Sequence, residues 1–246
     1  MTVTRHKYLS AVDYNRANSI ADLIVVRTAP LIKQPVPQPV GEQRVVLRSL
    51  TWQSFLTVRQ SLSPERNTRL TYAAGTLEIT MSLEIHEFSS WLIGRFIYIL
   101  ASELGMETKT MGSTTLDRET LDRSGEPDAA YYIQNQPLVA GRDVDLDNDP
   151  PPDLVVEVDI THTNIDKLQL YAAMGVPEFW RYNGEDWQIY HLQDLTYQES
   201  QRSLTFSQVP KAKLYEFLTT ARISEMRADR ELRDWIRAEA KTQPTE

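Results

Sequence analysis

The most regular alternation of apolar and polar positions in the chain runs from Asp153 to Ile160, in the stretch DLVVEVDI. Side chains of a β-strand point to opposite faces in turn, so this stretch predicts a strand with one wholly apolar face. Three acids on the other face of an otherwise apolar strand mark the first candidate site. The apolar face carries Leu154, Val156, Val158 and Ile160, and the opposite face carries Asp153, Val155, Glu157 and Asp159.

Apolar residues recur at three- and four-residue spacings in other stretches, which predicts helices. The longest predicted helix covers residues 86–104 and ends where Gly105 supplies a common helix stop. Shorter helices are predicted over residues 51–59 and residues 164–174. A charged helix over residues 224–240 carries a sparse apolar stripe, and we interpret it as a docking or dimer element.

Runs rich in β-branched and aromatic residues, bounded by turn residues, predict the remaining strands. Two pairs of these runs are joined by short turns that contain glycine, and each pair predicts a hairpin. The strands of a hairpin are antiparallel, so the sheet cannot be wholly parallel. The pattern therefore predicts an α/β fold with a mixed sheet flanked by helices. The predicted strands are 69–73 and 76–81 around Ala74-Gly75, 107–116, 129–133, and 178–182 and 186–192 around Asn183-Gly184.

Proline spacing divides the chain into parts. Closely spaced prolines favour an extended, polyproline-like linker, and here they are Pro30, Pro35, Pro37 and Pro39. We predict an N-terminal arm and linker over residues 1–45, a main domain over residues 46–220, and a C-terminal charged helix and tail over residues 221–246. The main domain is long enough to bury a substantial core.

The composition is ordinary for a globular protein, with 246 residues of which 41% are hydrophobic and 24% charged. The lack of cysteine excludes disulfides and thiolate metal sites, and it fits a reducing cytoplasm. The longest apolar stretch, residues 91–100, is interrupted by Arg95 and is too short to span a bilayer. The N-terminal segment has no signal-peptide pattern, so we expect a soluble, cytoplasmic protein.

The net charge of -8, from 34 acidic and 26 basic residues, argues mildly against a nucleic-acid partner. Proteins that bind nucleic acid usually carry a basic excess, because neutralising phosphates supplies most of their non-specific affinity. A local basic surface can still exist on an acidic chain. A carboxylate cluster that holds Mg²⁺ also adds negative charge, so net charge alone does not exclude a nuclease.

The acidic face of the strand predicted over residues 153–160 is the strongest chemical signal in the chain. Neighbours on one face of a strand lie roughly 6.6 Å apart, so Glu157 and Asp159 repel unless a cation intervenes. Mg²⁺ prefers oxygen ligands and would relieve this repulsion, and Asp128, at the start of an earlier strand, could complete the site. The alternative is a set of solvent-facing acids, but central strands rarely carry unpaired charge, which favours the metal site.

Other polar residues near this strand are candidates for supporting roles. Lys167 follows Glu157 by ten residues, and the intervening helix could return its ammonium to the acids, to orient or deprotonate water or to stabilise phosphate charge. By position alone, an exposed lysine is the simpler interpretation. Tyr171 is a candidate for substrate contact, although core packing also explains it. Glu84 and His86, at the start of the long helix, could reach the same cleft or serve only as helix N-terminal residues.

Several segments, taken in order, resemble the Uma-two family of restriction-endonuclease-like proteins, a branch of the PD-(D/E)XK nuclease superfamily. The resemblance spans roughly residues 50 to 200, and both ends of the chain lie outside it. The most specific part of the resemblance is the ordered set of motifs that begins at Pro127-Asp128 and ends at Gly175-Val-Pro-Glu-Phe-Trp180. The matching segments are Tyr72-Ala-Ala-Gly-Thr-Leu-Glu-Ile79, His86-Glu87, Gly112-Ser-Thr-Thr115, Glu126-Pro-Asp-Ala-Ala-Tyr-Tyr-Ile133, Pro152-Asp-Leu-Val-Val-Glu-Val-Asp159, Lys167, Leu170-Tyr171 and Gly175-Val-Pro-Glu-Phe-Trp180.

The resemblance implies a restriction-endonuclease-like αβββαβ core, with a mixed sheet flanked by helices and an added hairpin. It implies that Asp128 is the motif aspartate and Glu157 the glutamate of the second half of the motif, and that both hold Mg²⁺ or Mn²⁺. The superfamily lysine would stand at position 159, where this chain has Asp159, a residue that could assist the metal. The resemblance therefore implies that the lysine function has moved to Lys167.

The resemblance leaves two functions open, which belong to different classes. The first is a metal-dependent endonuclease that hydrolyses DNA phosphodiester bonds as a homodimer, with Asp128, Glu157 and Lys167 as catalytic residues. The second is a nuclease fold that has lost catalysis and acts as a binding or scaffolding module, which the acidic balance favours. Glycoside hydrolysis by a carboxylate pair is weaker, because packing already explains Trp180 and Trp187.

Overall fold

The structure, a computed structural model, describes residues 43–63, 65–81, 83–160 and 163–242. Nearly all of the predicted N-terminal arm and the end of the C-terminal tail therefore lie outside the described residues. Within these ranges the chain forms six α-helices and eleven β-strands, which build two sheets. The protein is thus a mixed α/β protein, as the pattern of elements predicts.

The helices follow the predicted periodicity most closely where the apolar stripe is long. The longest stripe gives a 20-residue helix that buries nine of its residues, close to the predicted bounds. Within the described ranges, no helix has both the length and the apolar character of a membrane span. The helices are α1 (Trp52–Ser61), α2 (Glu84–Glu103), α3 (Gln136–Val139), α4 (Lys167–Ala173), α5 (Lys211–Ala221) and α6 (Glu225–Thr242).

The strands divide between the two sheets. Most predicted strands are present close to their bounds, but the strand predicted over residues 107–116 is wrong, because only Lys109–Thr110 and the first residue of Leu116–Arg118 are strand there. The structure adds short strands that have no strong sequence pattern, chiefly around residues 123–125 and 196–200. The strands are β1 (Gln43–Leu47), β2 (Thr68–Ala73), β3 (Thr76–Met81), β4 (Lys109–Thr110), β5 (Leu116–Arg118), β6 (Arg123–Gly125), β7 (Ala129–Tyr132), β8 (Leu154–Val158), β9 (Glu178–Tyr182), β10 (Trp187–Gln193) and β11 (Thr196–Ser200).

The first sheet has five antiparallel strands in the order β1-β3-β2-β6-β5. The predicted hairpin joins β2 and β3, and its turn residues Ala74 and Gly75 both have positive φ, at 45° and 81°. Helix α1 packs on this sheet, with the ring of Phe55 stacked on Tyr72 at 4.7 Å between centroids. The sequence predicts the hairpin but gives no sign that it belongs to a separate sheet.

The second sheet has six strands in the order β11-β10-β9-β8-β7-β4. Neighbouring strands are antiparallel except β8 and β9, which run parallel. Parallel neighbours need a long crossover connection, usually a helix, and α4 lies in that connection. This sheet is the mixed sheet that the sequence predicts.

Strand β8 lies inside the second sheet, and its two faces have different surroundings. Leu154, Val156 and Val158 pack into a core that includes residues of α2, α5 and α6. Val155, on the opposite face, packs with Leu170 of α4 in a second cluster. A fully buried aliphatic side chain contributes roughly 1.5–3 kcal/mol, so these residues fix β8 firmly. The acids of β8 share the face of Val155, and they are therefore enclosed beneath α4.

The C-terminal helices pack on the same core. Helix α5 is absent from the sequence prediction, although Leu214, Phe217 and Leu218 have helical spacing. The apolar stripe of α6, with Leu232 and Ile236, packs against α2 and α5 of its own chain. The stripe that suggests a docking or dimer element is therefore covered largely within the chain.

Candidate functional site

Three predicted site residues, Asp128, Glu157 and Asp159, lie close together where β7 and β8 meet. Ala129 of β7 faces Val156 of β8 in antiparallel register, so Asp128 and Glu157 lie across from each other one position further on. The three acids are 7%, 2% and 7% exposed, respectively. The alternative of a solvent-facing acidic strand is therefore wrong.

Glu157 lies at the centre of this cluster and accepts two hydrogen bonds. The Lys167 ammonium donates to Oε2 at 2.6 Å, and the Tyr171 hydroxyl donates to Oε1 at 2.5 Å. Burial raises the pKa of Glu157 to about 7, although the Lys167 ammonium opposes the rise. The negative charges of Asp128 and Asp159 also raise this pKa. A carboxyl group that titrates near neutral pH is typical of functional sites.

Lys167 is the first residue of α4 and bridges two acids. The Asp166 side chain accepts the backbone N–H of Gln169 and so caps the helix, which fixes where α4 begins. Besides its bond to Glu157, the Lys167 ammonium donates to Asp159 Oδ1 at 2.7 Å. Burial lowers the pKa of Lys167, but the charges of Glu157 and Asp159 outweigh burial and raise it above the ordinary value. Lys167 therefore remains protonated, which suits charge stabilisation better than proton abstraction.

Asp159 contacts a second cation as well. Its Oδ2 lies 3.2 Å from Nε of Arg181, a residue of the parallel neighbour β9. Its backbone N–H donates to the carbonyl of Tyr182 at 2.8 Å, which extends the pairing of β8 with β9. The sequence pattern gives no sign of Arg181, because its proximity follows from the β8–β9 register alone.

Asp128 is held by donors from three parts of the chain. The backbone N–H of Val158 donates to Oδ2 at 2.6 Å, and His86 Nε2 lies 3.3 Å from the same oxygen. Arg69 Nη2 lies 3.2 Å from Oδ1. Burial raises the pKa of Asp128, but the hydrogen bond from His86 and the charge of Arg69 lower it below its ordinary value. Asp128 therefore stays ionised inside the protein.

The predicted accessory residues do not all reach the acids. His86 contacts Asp128, and although burial lowers the pKa of His86, this contact raises it overall. Tyr171 contacts Glu157, as described above. Glu84 is exposed at the start of α2 and, among the described residues, makes no hydrogen bond or ion pair with the cluster. The first turn of α2 thus supplies a histidine to the site but not the predicted glutamate.

Arg69 and Glu126 support the site, and neither was among the predicted site residues. Arg69 donates to the carbonyl of Pro127 at 3.0 Å in addition to its contact with Asp128. Glu126 accepts the backbone N–H of Leu70 at 2.9 Å, which attaches the segment before Asp128 to β2 of the first sheet. Two acids around one proline are the available signal for Glu126, whereas Arg69 lies in an ordinary strand pattern.

The charges of the cluster are balanced largely by residues of the chain. Lys167 lies between Glu157 and Asp159, and arginine side chains contact the outer acids. A buried charge is tolerated when it is paired and hydrogen-bonded. Protein cations therefore already relieve much of the repulsion that the acidic face implies.

Within the described part of the chain, no group of three or more His, Asp or Glu side chains is arranged to hold a metal ion. The donor chemistry still fits a hard divalent cation, because Asp128 and Glu157 supply carboxylate oxygens side by side. Asp128 Oδ1 is buried, and apart from the ion pair with Arg69 Nη2 at 3.2 Å it accepts no hydrogen bond from any described residue. Mg²⁺ commonly takes one or two carboxylates and completes its coordination with waters and substrate phosphates. Asp128 and Glu157 are thus the residues that would hold it.

The fold and the site define a class: a mixed α/β protein with acids and one lysine buried together at its central strands. Residues 52–220 match the family model described as "Uma2: Putative restriction endonuclease". The match covers more than half of the chain, so the protein belongs to the Uma2 family, and the resemblance to the Uma-two family is confirmed. No curated protein matches the chain.

Proposed function

We propose that the protein is a Mg²⁺- or Mn²⁺-dependent endonuclease that hydrolyses phosphodiester bonds of DNA. Family membership over residues 52–220 supports this activity. The observation that carries the proposal is the buried convergence of Asp128, Glu157 and Lys167, in which Lys167 Nζ lies 2.6 Å from Glu157. Two acids can hold a metal, and one fixed ammonium can stabilise the charge on a phosphate. Metal-dependent hydrolysis of a phosphodiester needs groups of both kinds.

The order of elements supports a restriction-endonuclease-like core. α2, β4, β7, β8, α4 and β9 follow the αβββαβ order when β5, β6 and α3 are counted as insertions. The four strands of this series are adjacent in the second sheet, and its last two are parallel. α2 and α4 contribute to the two separate clusters on either face of β8. The first sheet and the two C-terminal helices are additions to this core in our proposal.

Each residue of the cluster has a role in this proposal. Asp128 and Glu157 hold the metal. A divalent ion, when bound, polarises the scissile phosphate and lowers the pKa of the attacking water. Lys167 positions this water or stabilises the negative charge that develops on the phosphate. Tyr171 and His86 hold the two carboxylates in place, as outer residues of metal sites commonly do.

A plasmid-nicking assay with Mn²⁺ tests the proposal. The variants are Glu157→Gln and Lys167→Met, and the matched control is Asp153→Asn, which makes the same acid-to-amide change on the same face of the β8 segment. We expect each site variant to lose activity by at least ~100-fold, because a metal ligand or a fixed charge is lost. The Asp153→Asn variant should keep its nicking activity under all conditions in which it is folded. Equal nicking by the wild type and both site variants would refute the mechanism.

A second function is a binding or scaffolding module that retains the nuclease fold without catalysis. The observation that favours it is the internal neutralisation of the acids, since Lys167 occupies the space between Glu157 and Asp159. Titration calorimetry with Mn²⁺ separates the two functions. Binding that disappears in Glu157→Gln supports the nuclease, whereas no binding at millimolar Mn²⁺ supports the module. The homodimer is also part of the nuclease proposal, and sedimentation velocity of the full chain tests it.

A further inference from the structure

A cavity of about 550 Å³ lies among residues of α2, β4, β7 and α6, and of the three clustered acids Asp128 belongs to its lining. This volume is within the roughly 300–1,000 Å³ of small-molecule sites. One Asp128 oxygen, Oδ1, is buried and forms an ion pair with Arg69 Nη2 at 3.2 Å, without a hydrogen bond from the described residues. The cavity therefore adjoins the proposed reaction centre.

Two exposed aromatic residues of α2 line this cavity. Trp91 is 61% exposed and Tyr98 is 64% exposed, although most large apolar side chains of α2 are buried. They are seven residues apart, which places them on one face of the helix two turns apart. Exposed aromatic side chains around a concavity commonly mark binding sites, because their flat faces can stack on planar ligands.

A third aromatic residue, Tyr131 of β7, supplies a polar group to the cavity wall. Tyr131 is only 4% exposed and lies in the cavity lining. Gly94 of α2 makes room for this hydroxyl, since a Cβ at Gly94 would lie 3.2 Å from the oxygen. A tyrosine hydroxyl both donates and accepts hydrogen bonds, so this one can bind the polar edge of a ligand in the cavity.

The charged residues of the cavity wall are paired with other side chains of the protein. Arg95 donates to Asp229 through two nitrogens, at 2.7 Å and 2.6 Å. Arg233 donates to Glu103 at 2.5 Å. These pairs leave the wall with little free charge for a phosphate, and they suit the uncharged planar part of a nucleotide.

We propose that this cavity binds an unpaired nucleobase of the DNA strand, which stacks on Trp91 and Tyr98 and hydrogen-bonds with the Tyr131 hydroxyl. The phosphodiester next to this base then lies at the Asp128 end of the cavity. A base inside a duplex cannot enter the cavity, so the preferred substrate is single-stranded or locally unpaired DNA. This inference rests on the proposed nuclease function and specifies its substrate.

Fluorescence anisotropy without divalent ions tests binding apart from cleavage. The full-length protein is titrated into labelled oligothymidylate of roughly 12 nucleotides, a length within the range of single-strand sites. We expect Trp91→Ala and Tyr98→Ala each to weaken binding by about tenfold, the scale of one lost stacking contact. Trp91→Phe and Tyr98→Phe keep a ring and should change binding by less than about threefold. Leu195→Ala, at an exposed site outside the cavity lining, should leave binding unchanged.

Two further probes test the inference with the wild-type protein alone, so the result does not depend on whether the variants fold. The wild-type protein is titrated with a strand of the same length whose sugars carry no bases, and with the matching duplex. We expect both to bind about tenfold more weakly than the single strand. Equal affinity for all three probes, or wild-type affinity in both alanine variants, would overturn the inference.

The nicking assay separates a failure of this inference from a failure of the proposed function. Preferred single-strand binding without cleavage would support the cavity assignment and refute the nuclease. Cleavage that is lost in Glu157→Gln, together with equal affinity for single strand and duplex, would support the nuclease and refute the cavity assignment.

Discussion

The two ends of β8 bury acids in different ways. At the N-terminal end, Asp153 accepts backbone N–H groups of Ile133 at 2.7 Å and Asn135 at 2.9 Å. At the C-terminal end, Glu157 accepts from the Lys167 ammonium and the Tyr171 hydroxyl. Both acids are almost wholly buried, so burial alone does not distinguish them.

Strand β9 also buries an acid among uncharged donors, as the N-terminal end of β8 does. Glu178 of β9 pairs with Leu154 in the β8–β9 register, and it accepts the Trp180 indole N–H at 2.7 Å. Its other oxygen accepts the backbone N–H and the hydroxyl of Thr205, at 3.0 Å and 2.9 Å. All these donors are uncharged and belong to the packed core.

The comparison shows that the partners of a buried acid, more than the extent of its burial, indicate whether the acid serves the fold or a functional site. Fixed uncharged donors complete the hydrogen bonding of an acid and make it part of the fold. Charged partners that can be displaced, as at Glu157, leave an acid able to exchange its partner for a metal or a substrate. The predictions below test this contrast.

The largest effect is expected for Lys167→Met, which leaves Glu157 and Asp159 without their shared cation. Removing one partner of a buried ion pair costs about 3–5 kcal/mol, so the free energy of unfolding should fall by that amount. Urea denaturation at pH 8, where Glu157 is ionised, measures the change. The control is Lys167→Met combined with Glu157→Gln, which should lose much less stability. If Lys167→Met lowered the free energy of unfolding by less than ~1 kcal/mol, the proposed difference between the two ends of β8 would be contradicted.

The second prediction concerns pH and the raised pKa of Glu157. Its pKa is about 7 in the folded protein and 4.5 without the protein's influence. The folded state therefore holds this proton more tightly. The contribution of Glu157 to stability is fully present below pH 4.5 and is lost as the pH rises through 7. Across this window the loss is at most ~3.5 kcal/mol, since one pKa unit corresponds to about 1.4 kcal/mol.

Urea denaturation of the wild type and Glu157→Gln at several pH values between 5 and 8 measures this contribution. The glutamine cannot ionise, so the difference in stability between the two proteins should change with pH in the stated direction. Asp153→Asn is the matched control from the other end of β8. A difference between the wild type and Glu157→Gln that does not depend on pH would refute the raised pKa.

A smaller effect is expected for Asp153→Asn, at the end of β8 that we assign to the fold. The amide has one acceptor oxygen in place of two, so a donor from Ile133 or Asn135 loses its partner. The cost is about 2 kcal/mol, typical of a buried donor left unsatisfied. Chemical denaturation measures it, and calorimetry should find the same Mn²⁺ affinity as in the wild type. A large loss of Mn²⁺ affinity would place Asp153 in the site.

The smallest effect is expected for Tyr171→Phe, which removes one hydrogen bond to Glu157 and keeps the aromatic ring. We expect a loss of about 0.5–1.5 kcal/mol, the net contribution of a typical intramolecular hydrogen bond. Thermal or urea unfolding measures it. Leu170→Ala, at a buried apolar neighbour on α4, should cost more, at about 2–5 kcal/mol, because it leaves a cavity. A larger loss in Tyr171→Phe than in Leu170→Ala would show that Tyr171 does more than orient Glu157.

The sequence predicted the parts of the site that are carried by local pattern. The alternation along the predicted strand placed Glu157 and Asp159 on one face, and the helix predicted over residues 164–174 made Lys167 a candidate to reach them. Arg69 and Arg181 could not be found in this way. Both lie in ordinary strands, and their contacts with the acids depend on which strands become neighbours.

The fold was predictable to a similar extent. Strong periodicity gave α2, β3, β8 and β9 close to their observed bounds. The short strands β4, β5 and β6 have two or three residues each, which is too few to show a period. Their pairing builds the antiparallel first sheet and one edge of the second, so the division into two sheets was not predictable from local pattern.

By itself, the sequence determined the alternating strand, the long helix, the hairpin turns and the membership of the Uma2 family, because each depends on residues close together or on an ordered set of motifs. The tertiary structure decided how the buried acids are neutralised. It placed Lys167 between Glu157 and Asp159, and it surrounded Asp153 with uncharged donors. The physical reason is that electrostatic energy depends on distances across strands, and local sequence patterns do not specify those distances.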